Sequence, residues 1–91
     1  MRDNREPLYY AIVKHFLGGE PDCAEGVMQA LEPAYGDYKL FTRRDVEEAL
    51  ATAKENGLLD EVGYEVDAAG ELRVLYRMSD FGEDMVRRYI G

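Results

Sequence analysis

Apolar positions along the chain are helix-spaced in three segments, strand-spaced in two, and helix-spaced again at the end. The first segment places Leu8, Tyr9, Ile12, Val13, Phe16 and Leu17 on one broad face. Pro7 is tolerated in its first turn and Gly18-Gly19 ends it. In the second, Asp22 and Glu25 form a capping-box pattern ahead of Val27, Met28 and Leu31, and Pro33 makes continuation costly. The third is the best punctuated. Thr42 is set to cap its first turn with Asp45 three residues on, Val46, Ala49, Leu50 and Ala53 recur at helical spacing, and Asn56-Gly57 stops it.

The strand-like segments predict a hairpin whose register can be read from its own residues. Val62, Tyr64 and Val66 alternate with polar positions, and Leu72, Val74 and Tyr76 alternate with Arg73 and Arg77, so each segment has one face to bury. With Ala68-Ala69-Gly70 as the loop, the pairs are Val66/Leu72, Tyr64/Val74 and Val62/Tyr76 on one face and Glu65/Arg73 and Glu61/Arg77 on the other. A three-residue loop of this kind wants positive φ at its last position, which is Gly70. Sliding one strand by a residue would set Tyr64 against Arg73 and mix the faces.

Ser79 then caps a closing helix, with Asp80, Glu83 and Asp84 near its start and Arg87 and Arg88 near its end, where each sign suits the macrodipole. Phe81, Met85, Val86, Tyr89 and Ile90 share one side of it. Helix, hairpin, helix is the order of the C-terminal half of a winged helix. The run A-K-E-N-G-L-L-D-E, the hairpin, and Y-R-M-S-D-F-G resemble the end of the recognition helix, the wing and the last helix of bacterial winged helix-turn-helix regulators of the MarR and PadR kinds. The resemblance covers mainly residues 42–90. It implies an α+β chain with a three-helix core, a β-hairpin wing and a C-terminal helix, forming a single domain over residues 1–91. The connection P-A-Y-G-D-Y-K-L-F is longer than a tight helix-turn-helix turn, and a short strand at residues 38–41 is expected beside the hairpin.

Length and composition fit that reading. A chain of 91 residues can bury about two-thirds of its unfolded surface and reach a stability of order 5–10 kcal/mol unaided. The single Cys23 has no partner for an intramolecular disulfide, the N-terminal M-R-D-N-R-E lacks a signal peptide's apolar core, and no apolar run approaches membrane-spanning length, so a reducing cytoplasm is expected.

Charge complicates contact with DNA. The formal net charge is −8; residues 20–38 carry five acidic side chains and no basic one, and residues 45–71 carry nine acidic side chains against Lys54 alone. Phosphate neutralisation by Lys and Arg supplies much of a DNA-binding protein's affinity. Basic groups do collect at Lys39, Arg43 and Arg44, the end of the third helix that enters the major groove in helix-turn-helix complexes. Farther along, Glu47, Glu48 and Glu55 face outward, which favours shallow docking by the first turn. On the wing, Arg73 and Arg77 are candidates for phosphate or the minor groove, although Glu65 and Glu61 stand across from them. A solvated role competes throughout: Arg43 pairing with Glu47, the wing arginines with their cross-strand glutamates, and Arg87 and Arg88 ending a helix.

No enzyme chemistry is legible. His15 beside Phe16 reads as a packing residue, Cys23 as a small packed thiol, and Asp60-Glu61 and Glu83-Asp84 as solvated acids without a catalytic or metal-binding partner. Neither a cofactor nor a metal is expected. The five residues Tyr9, Tyr10, Tyr35, Tyr38 and Tyr89 read mostly as core edges with the hydroxyl in water. The expectation is a transcriptional regulator of double-stranded DNA, with Lys39, Arg43, Arg44, Arg73 and Arg77 as the binding residues. The apolar terminal helices imply a homodimer. The alternative is an acidic interaction module meeting a basic protein partner, or a DNA mimic, that does not bind DNA.

Overall fold

Six elements follow one another in a computed structural model that describes residues 6–90: α1 (Leu8–Lys14), α2 (Ala24–Tyr35), α3 (Arg43–Glu55), β1 (Leu59–Val66), β2 (Leu72–Met78) and α4 (Asp80–Tyr89). Residues 1–5, read above as lacking a leader's apolar core, and residue 91 lie outside the described residues. The helices surround a core of Ile12, Val13 and Phe16 from α1, Val27 from α2, Val46, Leu50 and Ala53 from α3, Leu59 and Met78 from the hairpin, and Val86 from α4. This is the α+β arrangement expected, a three-helix core with an antiparallel hairpin and a closing helix. No helix among the described residues is long and apolar enough to cross a membrane.

Local chemistry accounts for most boundaries. The Thr42 hydroxyl accepts from the Asp45 amide at 3.1 Å and donates to the Asp45 carboxylate at 2.6 Å, which closes the first turn of α3. Gly57, at φ +82°, takes the left-handed conformation that ends the same helix. Ser79 accepts from the Gly82 amide at 2.8 Å and starts α4. Gly82 lies against the Leu58 carbonyl, so α4 approaches the root of β1 at a position where a side chain would collide with backbone.

The second helix departs from expectation at both ends. Its N-cap is Cys23, with no side-chain cap bond, and Asp22 is occupied elsewhere. The Asp22 carboxylate accepts from the Cys23 amide at 2.8 Å and meets His15 Nε2 at 2.6 Å. Its backbone exchanges hydrogen bonds of 2.9 and 2.8 Å with Tyr76. Pro33 lies inside α2, which runs on to Tyr35. In the last turn the missing N–H leaves only the Gln29 carbonyl without its helical donor, and Gln29 is exposed to water.

Two hairpin expectations are corrected. Val66↔Leu72, Glu65↔Arg73 and Tyr64↔Val74 pair as expected, and Gly70 has φ +85°. Gly63↔Leu75 continues that register, and below it a bulge between Glu61 and Gly63 gives Glu61↔Tyr76, Asp60↔Arg77 and Leu59↔Met78 in place of Val62/Tyr76 and Glu61/Arg77. The reason is the core. In an unbroken ladder Leu59 would fall on the face opposite Met78, and one extra residue brings both inward together. The short strand expected at residues 38–41 is absent: that segment forms turns, and the sheet has two strands. The backbone bridge from Asp22 to Tyr76 occupies the flank of β2 instead.

Candidate nucleic-acid interface

The first turn of α3 is held out from the core by its own pattern, with Val46 and Leu50 turned inward and Arg43, Arg44, Glu47 and Glu48 turned to solvent. Lys39 is exposed in the turn before it. Arg44 has 87% of its side chain accessible and pairs with Glu48, one turn on, at 3.3 Å. Such an exposed pair is worth little and opens readily.

Arg43 is more engaged. Its Nε donates to Glu47 at 3.0 Å and one terminal nitrogen donates to Glu25 of α2 at 3.3 Å. The bond to Glu47 holds the guanidinium's pKa above its ordinary value, aided by the nearby charges of Glu47 and Glu25. Arg73 comes to the same place from the hairpin. It bonds Asp67 at 2.9 and 3.1 Å and lies 3.9 Å from the same Glu25 oxygen that Arg43 touches. The two arginines thus meet across one carboxylate. Beside them a cleft of about 170 Å³ runs between α2, α3 and β2, floored by Ala24, Leu50, Leu72, Val74 and Tyr76. Burial in this cleft raises the Tyr76 hydroxyl's pKa, with Glu61 adding to the effect.

Of the five residues singled out from sequence, the fold brings Arg43 and Arg73 together and keeps Lys39 and Arg44 at the same end of α3. Arg77 stands apart. It lines a depression with Gly19, Asp60, Asp80 and Glu83 at the root of the hairpin. The expected cross-strand ion pairs are replaced: Arg73 takes Asp67 rather than Glu65, and Glu61 pairs with Lys54 at 3.1 Å. Sequence reasoning missed two residues of this cluster. Asp67 carries a readable signal, since an Asp at the start of a turn commonly bonds the amides that follow. Glu25 carries none, because its link to Arg43 spans 18 positions. Arg87 and Arg88 pair with Glu83 and Asp84 along α4, as a solvated helix end does.

Other residues singled out from sequence pack or bond within the fold. His15 is half buried and edge-on to Phe16 at 5.3 Å between ring centres. Cys23 is buried. Tyr9 accepts from Asn56 at 3.1 Å, and the buried Tyr35 donates its hydroxyl to the Glu6 carbonyl rather than to water.

No family model matches this chain, and no curated protein matches it. Solved structures do. A candidate transcriptional regulator from Thermoplasma acidophilum superposes at TM-score 0.68 with 17% identity, over 91% of this chain and 77% of that one. A PadR-like transcription factor from Bacteroides fragilis gives TM-score 0.72 and 22% identity, over 89% of this chain and 74% of the other. PadR of Bacillus subtilis, solved in complex with operator DNA, gives TM-score 0.73 and 12% identity over 91% of this chain, which spans 46% of that protein. At these identities the likeness is one of fold. The chain has the winged-helix fold, with α3 as its third helix and β1–β2 as its hairpin.

Proposed function

We propose that this chain is a DNA-binding transcriptional regulator that docks on duplex DNA through the first turn of α3, with Lys39, Arg43 and Arg44 on phosphates or base edges and Arg73 reaching in from the wing. The observation that carries this reading is the exposed basic start of α3 in a fold that superposes at TM-score 0.73 on an operator-bound regulator. Docking is shallow, because Glu47 and Glu48 follow one turn along the helix and would meet phosphates if it lay deeper in the groove. Arg77, among acidic neighbours at the hairpin root, is the least suited of the five.

Replacing Arg43 and Arg44 with Ala is expected to abolish retardation of a mixed duplex at moderate salt. It should also lower the slope of log affinity against log salt by about 0.9 for each phosphate that is no longer neutralised. Folding should be unaffected, since both side chains are exposed. Glu47→Gln with Glu48→Gln should tighten non-specific binding. If the wild-type protein retards no duplex at low salt, while Glu47 and Glu48 prove necessary for capture of a basic protein, the acidic interaction module replaces this reading.

The regulator acts as a homodimer in this proposal. Phe81 and Tyr89 on α4 are 53% and 72% accessible and Tyr10 on α1 is 42% accessible, leaving aromatic surface on the terminal helices for a second copy. Light scattering at high micromolar concentration checks this, and a monomer would remove it.

A further inference from the structure

Arg43 and Arg73 arrive from different elements, α3 and the wing, and both address a single oxygen, Oε1 of Glu25, at 3.3 and 3.9 Å. Two guanidiniums converging on one oxygen are arranged as a fork for an oxyanion. We propose that this is a binding site for one phosphate group of the DNA backbone, and that Glu25 occupies it as a resident carboxylate that an incoming phosphate must displace. The inference rests on the DNA-binding reading above.

The surrounding acids show why Glu25 is the exchangeable one. Three carboxylates, Glu25, Glu47 and Asp67, surround the two arginines. Asp67 is fixed by the Ala69 and Glu71 amides at 2.9 Å each as well as by Arg73. Glu47 lies one helical turn from Arg43 and moves with it. Glu25 belongs to another helix, and among the described residues its carboxylate makes no hydrogen bond except to Arg43. It is one-third accessible, and it borders the open cleft, so withdrawing it uncovers both arginines without dismantling the loop or α3. With it in place the cluster has an excess of negative charge, which suppresses loose attachment to any duplex. Only DNA seated closely enough to offer a phosphate to both arginines compensates for its removal. Glu25 therefore sets how much of the basic surface is available, and it makes phosphate contact at the wing conditional on contact at α3.

The test compares wild type, Glu25→Gln, Glu25→Ala and the double variant Glu25→Gln with Arg73→Ala, in two measurements. In duplex retardation across salt, both single Glu25 variants are expected to bind roughly two- to fivefold more tightly, the range an exposed ion pair is worth, with a salt slope steeper by about 0.9. The added Arg73→Ala should cancel that gain. In nuclear magnetic resonance with inorganic phosphate as the probe, the Nε–H signals of Arg43 and Arg73 should shift together, at lower phosphate concentration in Glu25→Gln than in wild type. If Arg43→Ala with Arg44→Ala weakens DNA binding while both Glu25 variants bind as wild type does, the regulator reading stands and this inference is overturned. If no variant retards DNA but phosphate moves both arginine signals, the site takes a free oxyanion and the backbone-phosphate source is overturned. Absence of both responses removes the site altogether.

Discussion

The root and the tip of the hairpin share one alternating pattern in sequence and are held by different forces. At the root, Leu59 and Met78 are 1% and 6% accessible, paired with each other, and brought inward by the bulge at Val62-Gly63. At the tip, Val66, Leu72 and Tyr64 pair in the register expected, yet they are 64%, 58% and 69% accessible. Alternation therefore fixed which residues share a face at the tip, but not whether that face is covered. Burial is decided by what the helices cover: they enclose Leu59 and Met78 at the root, whereas toward the tip α2 and α3 leave an open cleft beside Leu72 and Val74. The tip is organised instead by backbone: Asp67 and Glu71 close the loop at 2.9 Å, Gly70 donates to Asp67 at 2.9 Å, and the Asp67 carboxylate ties two loop amides to Arg73. A root held by burial and a tip held by hydrogen bonds would suit the wing contact proposed for Arg73.

The largest effect should come from the root. Leu59→Ala empties a fully buried site and is expected to cost about 3 kcal/mol, within the usual 2–5 for a buried Leu. Tyr64→Ala at the tip should change stability by about 0.5 kcal/mol or less. Chemical denaturation measures both, and similar losses at the two positions would break the distinction. A smaller but definite effect belongs to the loop. Gly70→Val forces a β-branched residue to φ +85°, for a cost of roughly 1–3 kcal/mol despite open space around the site. A melting temperature unchanged from wild type would show that the tip is not held by its backbone conformation.

Much of the fold was legible because its punctuation is local. Thr42 with Asp45, Asn56-Gly57, the loop glycine and Ser79 each act within a few residues, and each does what its type implies. What escaped depends on distance. Asp22 looks like a cap, but His15 and Tyr76 claim its side chain and backbone, and neither is near it in a helical or strand register. The bulge required knowing that Leu59 and Met78 share the core. At the candidate interface, the basic start of α3 could be read directly, whereas the meeting of Arg43 and Arg73 at Glu25 joins three elements and leaves no periodic trace.

The smallest expected effect isolates the tip's electrostatics. The Asp67 carboxyl is held below its ordinary value of 3.8, first by the Glu71 amide and then by Arg73 and the Ala69 amide, against a partial opposing effect of burial. A carboxylate whose folded pKa is depressed adds stability that is fully present above its unfolded pKa and is lost as pH falls through the folded value. The loop should therefore keep its form on acidification past 3.8 and loosen only below it. Arg73, whose own pKa is raised chiefly by the bond to Asp67, stays charged throughout and so becomes less constrained as Asp67 takes up its proton. Amide shifts of Ala69 and Glu71, followed by nuclear magnetic resonance from pH 6 downward, should titrate with a midpoint under 3.8 in wild type and lose that step in Asp67→Asn. The packing of the root should not follow Asp67, because Leu59 and Met78 are buried in the core and carry no titrating group. A midpoint at or above the ordinary value would mean that the amides and Arg73 do not hold the Asp67 carboxylate, and a shift of the Leu59 amide that is likewise lost in Asp67→Asn would mean that the tip and root are one cooperative unit rather than two differently held halves of the wing.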